Sequence, residues 1–212
     1  MKALKNILSP KEFQLLKKLN TPIKIQNFLD TLPINFEKKA ETYMSPRRVL
    51  QEKKAMCIEG AMLAGVCLWL QGEEPLLLDL KSYNGDDHVV AIYKQNGYFG
   101  AISKTNHATL RFRDPVYKTI RELATSYFHE YFDVKTGEKI LRSFSKPFNL
   151  RKKYGTTWIT RMDEMFDVAN DLDTSPHIMF TCKANLKHLR SADKMELKAG
   201  NILEWKKTNK RT

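Results

Sequence analysis

Apolar residues near the start of the chain recur at helical spacing behind capping signals: Phe13, Leu16 and Leu19, with Leu15 beside them, follow Ser9-Pro10. Glu12 lies three residues after Ser9 and completes a capping box. Thr21-Pro22 and Ser45-Pro46 repeat the pairing of a hydroxyl with proline, so three helices are predicted to begin at these points. From Met56 to Leu70 the run MCIEGAMLAGVCLWL is apolar on nearly every side, which predicts a helix buried around most of its circumference with Cys57 in its first turn. The pattern then changes period. LLLDLKSY, HVVAIYKQ and YFGAISKT are β-prone and are separated by Asn84-Gly85 and Asn96-Gly97, so a three-stranded antiparallel meander is predicted. Val116, Ile120, Leu123, Ala124, Tyr127, Phe128 and Tyr131 return to helical spacing and predict one long amphipathic helix. Arg142 to Leu150 reads as a further strand. Helices are expected through Trp158, Met162, Met165, Phe166 and Ala169, and again from Met195 to Trp205, ahead of a frayed terminal KKTNKRT.

The whole reads as an α+β protein in which a buried helix packs on a central antiparallel sheet, with extra helices at both ends. Residues 1–150 form the main domain, and a positive shift at Arg151, Lys152 and Lys153 opens a basic, mainly helical extension over 151–212 that packs on it.

Strand register brings candidate chemistry together. If both Asn-Gly pairs form two-residue turns, Lys81 and Thr105 lie opposite His88, with Asp79 and Ser103 as diagonal neighbours on the same face. The other face would collect Leu78, Leu80, Val89, Ala91, Tyr93 and Ile102 as the drier side. A thiol at a helix N-terminus feels the positive end of the backbone dipole, which makes Cys57 a candidate nucleophile. It needs a base and a group to hold that base, and His88 with Ser103 or Asp79 supplies both. Read as packing and turn residues, the same positions are a small buried cysteine, a strand histidine and the loop acids Asp86 and Asp87.

Composition narrows the field. An apolar fraction of 42% supports a folded core, and Cys57, Cys67 and Cys182 show neither paired spacing nor a disulfide framework. The histidines lack metal-ligand spacing and the nine glycines form no phosphate loop, so no cofactor or metal is expected. The longest apolar stretch, Ala61 to Leu70, is too short to span a bilayer, and the first residues do not resemble a secretory signal, so a cytoplasmic location is expected. Lys and Arg exceed Asp and Glu by 36 to 24, giving +12 and keeping a nucleic-acid partner open.

The order of Cys57 heading a buried helix, Gly72 and Pro75 leading into a strand, His88 on the next strand and Gly97-Tyr98-Phe99 starting a third resembles the transglutaminase-like cysteine-enzyme superfamily over roughly residues 45 to 110. The resemblance implies a papain-like core and a peptidase, amidase or acyltransferase acting on a peptide or protein substrate through Cys57 and His88. It puts Ser103 where the family usually has aspartate, and Val90 where an aromatic is common. Asn106 is a further candidate for the orienting role that asparagine takes in papain-like enzymes, and His107, in the polar run SKTNH, is either loop decoration, the preferred reading, or a substrate contact. A catalytically silent scaffold that binds a protein partner, or a basic nucleic-acid binder, are the functional alternatives.

Overall fold

The computed structural model describes residues 2–37 and 41–207. Four helices lead in: α1 (Lys2–Ile7), α2 (Pro10–Lys18), α3 (Pro22–Thr31) and α4 (Pro46–Glu52). The last three start at the serine or threonine–proline pairs. Ser9, Thr21 and Ser45 accept from the backbone N–H three residues on, and Glu12 returns a bond to the Ser9 N–H. The buried helix α5 (Cys57–Leu70) follows, then β1 (Leu76–Ser82), β2 (His88–Gln95), β3 (Tyr98–Ser103), β4 (Arg113–Tyr117) and α6 (Ile120–Thr125). The chain continues through β5 (Leu141–Ser145), β6 (Phe148–Asn149), α7 (Leu150–Tyr154), α8 (Phe166–Asp173), β7 (His177–Met179), α9 (Lys183–Leu186) and α10 (Lys194–Gly200).

All seven strands among the described residues join one antiparallel sheet in the order β4-β3-β2-β1-β5-β7, with β6 also paired to β1. The protein is therefore α+β, with helices on both faces of the sheet. One face, carrying Leu77, Val89, Ala91, Tyr93 and Ile102, packs under α5 and the N-terminal helices. The other, carrying Leu78, Leu80, Val90, Ile92 and Ala101, packs under α6 and the segment through Tyr127 and Tyr131. Neither face is the wet side that alternation had predicted.

Three expectations are corrected. Residues 116–131 are not one helix: Pro115 lies on the edge strand β4, where a missing N–H costs no ladder bond. Helix α6 starts only at the Thr119 cap. Beyond Thr125 the chain advances by i to i+3 backbone bonds to Tyr127, Phe128 and Tyr131, which keeps the apolar residues at near-helical spacing without an α-helix. Secondly, the β1–β2 connection runs over residues 83–87 and pairs Leu80, not Lys81, with His88. That one-residue shift turns Asp79 to the opposite face from His88. Thirdly, two C-terminal helices are shorter than expected: the one through Trp158 to Ala169 begins only at Phe166, Trp158 lying in a separate short turn, and the one over Met195 to Trp205 ends at Gly200. Of the tail KKTNKRT, residues 208–212 lie outside the described residues. No helix among the described residues is long and apolar enough to cross a membrane.

Candidate active site

The start of α5 is locked from inside. Glu59, with no exposure, accepts the Met56 N–H at 2.6 Å, the Met44 N–H at 3.0 Å and the Thr42 hydroxyl at 3.1 Å. One buried carboxylate thus joins the 42–44 segment to the turn that presents Cys57. Gly60, one turn along the helix, meets β3's end so closely that a Cβ there would lie 2.6 Å from the Lys104 Cβ. These contacts seat the helix end across the ends of β2 and β3.

Cys57 is partly exposed, while Cys67 is core and Cys182 is a surface residue at the α9 cap; all three are free thiols. Burial pushes the Cys57 thiol up to about 11. The backbone N–H groups of Val89 and Ile58 oppose that rise, and the charges of Asp79 and Glu59 add to it.

His88 is 6% exposed, and its Nε2 lies 2.8 Å from the Ser103 Oγ. That hydroxyl is itself 2.6 Å from the Leu110 carbonyl oxygen, which can only accept. The serine proton therefore points at Leu110, Ser103 Oγ accepts, and neutral His88 carries its proton on Nε2. Nδ1 is left as the basic nitrogen. Burial pushes the imidazole down to about 4, against a favourable contribution from the Leu110 carbonyl. Ser103 is held in turn by Gln26 of α3, whose amide accepts from the Ser103 N–H at 2.9 Å and donates to its carbonyl at 2.8 Å.

Cys57 and His88 line one cavity of about 590 Å³, together with Asn35, Lys104, Asn106, His107 and Tyr131. The thiol sits against the Val89 N–H, one residue beyond His88. The imidazole's side-chain hydrogen bond is to Ser103, and none to the thiol is formed among the described residues.

The other candidates are placed elsewhere. Asp79 is not an orienter of His88: it lies across the sheet and bonds His177 Nε2 at 3.1 Å through Oδ2. Asn106 does not reach His88 either. Its side chain donates to the Trp205 carbonyl at 3.0 Å and accepts the Trp205 N–H at 2.7 Å, pinning the C-terminal segment. His107 Nδ1 bonds the Gly200 carbonyl at 2.7 Å while lining the cavity, so it is a tether as well as a wall residue. Glu59, Gln26, the Leu110 carbonyl and His177 were not singled out from sequence. Of these only Glu59 left a signal, as the acid three residues after a helix cap. No protein-family model and no curated protein matches the chain.

Proposed function

We propose that this protein is a transglutaminase-like thiol enzyme that attacks amide or peptide carbonyls. In this reading the Cys57 sulfur adds to the carbonyl carbon while His88 Nδ1 takes the thiol proton. The tetrahedral intermediate collapses, the carbon–nitrogen bond breaks, and the imidazolium returns the proton to the departing amine. The resulting thioester is cleared by water or by a second amine. The observation that carries the reading is the His88–Ser103–Leu110 chain, which leaves Nδ1 as the unprotonated nitrogen of a histidine that lines the same cavity as Cys57. The papain-like arrangement of helix and strands belongs to the same proposal. It is supported by the cysteine at the start of α5 and the histidine at the start of the neighbouring strand β2.

A catalytically silent scaffold is the second reading, favoured by the raised thiol, the lowered imidazole and the hydroxyl in place of a carboxylate. Acylation separates the two. Incubated with p-nitrophenyl acetate in a Cys182→Ser background, the enzyme should gain one acetyl group on Cys57, detected by peptide mass spectrometry. His88→Ala should slow that step by a hundredfold or more. Equal rates in the two proteins, or acetyl groups scattered over lysines alone, would favour the scaffold.

A further inference from the structure

Away from the imidazole, the fold gathers three carboxylates from distant positions. Asp79 lies on β1, Asp87 ends the turn before β2 and Asp173 closes α8, which packs on β1. One oxygen of each lies within 4.8 Å of the others. All three line a second cavity, of about 690 Å³.

Each acid is held through one oxygen. Asp79 Oδ2 meets His177 Nε2, Asp87 Oδ1 accepts from the Ser82 N–H at 2.7 Å and its hydroxyl at 3.0 Å, and Asp173 Oδ1 pairs with Lys81 Nζ at 2.6 Å. The second oxygen of each has no bond to a described residue. For Asp79 this is costly, because the residue is 2% exposed and Oδ1 is fully buried without a hydrogen-bond partner. Burial and the neighbouring charges of Asp87 and Asp173 push the Asp79 carboxyl up, even with His177 beside it. Three acids fixed by outer partners, each with one oxygen in hand, are how proteins set up ligands for an ion.

We propose that Asp79, Asp87 and Asp173 bind a divalent, oxygen-seeking cation of calcium's size. An all-carboxylate donor set selects hard cations over zinc or copper. Three protein carboxylates converging on one point suit calcium, which takes six to eight oxygens in a flexible shell, better than magnesium, which keeps most of its water and usually takes one or two carboxylates. Asp173 is exposed and Asp87 partly so, which leaves room for water to complete the shell. The ion gives the orphaned Asp79 oxygen its partner. The inference does not depend on thiol chemistry.

Calorimetric titration of the full chain with calcium chloride should show one site, and thermal unfolding should shift upward with added calcium. Magnesium should bind at least tenfold more weakly. Asp87→Asn and Asp173→Asn should each weaken calcium binding tenfold or more while the circular dichroism spectrum is kept. The partly buried or exposed positions are chosen because Asp79→Asn alters a core residue. Absence of calcium binding, or undiminished binding in both variants, overturns the site; magnesium binding as tightly as calcium overturns the size assignment.

Discussion

Cys57 and His88 are both held neutral at rest by burial, the thiol near 11 and the imidazole near 4. A thiol in that state reacts through its small thiolate fraction, which grows about tenfold per pH unit below its pKa. Iodoacetamide labelling of Cys57 should therefore climb steadily from pH 7 to pH 10; a rate already flat by pH 8 would reveal a resting ion pair. Ser103 supports the ring by accepting from Nε2 and donating to Leu110. Ser103→Ala leaves both partners unmatched in a buried setting and should cost about 1–3 kcal/mol in urea unfolding, with acylation slowed as well. Ser103→Thr, which keeps the hydroxyl, should recover most of the loss. The position of Ser103 beside His88 could be read from sequence because Asn96-Gly97 forms the tight turn its residues favour, which fixes the pairing of Val90 with Ser103. Asp79 was misplaced because Asp87 accepts from the Ser82 N–H and closes a longer turn than Asn84-Gly85 alone would make. Turn length there is decided by a side chain at its far end, which the dipeptide does not report.

Among the elements, α5 carries the most consequence, since it sets the thiol and supplies much of the larger core. Its apolar composition made it plain in the sequence, but the residue that seats it is a glycine. Gly60→Ala would drive a methyl into Lys104 and should destabilise the protein by about 1–3 kcal/mol, measured by chemical unfolding. The start of α2 offers a pH-dependent counterpart. The Arg47 guanidinium grips Glu12 through bonds of 2.8 and 3.0 Å and holds its carboxyl below the ordinary value of 4.5. A lowered carboxyl contributes stability above the unfolded value and loses it as pH falls through the folded one. Glu12→Gln should therefore cost about 1 kcal/mol at pH 7 and progressively less below pH 4.5, in parallel urea titrations. The segment after β4 shows the opposite lesson about legibility: its apolar spacing was real, yet successive three-residue turns satisfy it as well as a long helix does.

Across the whole molecule, segments far apart in the chain meet at one cavity or at the residues that line it. Ile34, Asn35 and Phe36 wall it from the N-terminal side. Residues 200–205 are strapped to two of its lining residues, Asn106 and His107, including a Glu204 N–H to Asn106 carbonyl bond of 2.8 Å. Sequence order could not have announced this, because the strap joins residues about a hundred positions apart through side-chain amide and backbone. Asn106→Ala removes two of its bonds and should speed tryptic cleavage after Lys198, followed by mass spectrometry, with little change in the global unfolding midpoint.

Cys57 borders both cavities, one walled by His88 and Tyr131 and the other by the three aspartates. A covalent inhibitor anchored on this sulfur can accordingly be elaborated in two directions. Arms bearing an amine suit the chamber of the three aspartates, while the one beside the imidazole, lined by Tyr131 and Phe132 but also by Lys104, Asp87 and Glu130, calls for arms that combine an aromatic ring with polar groups.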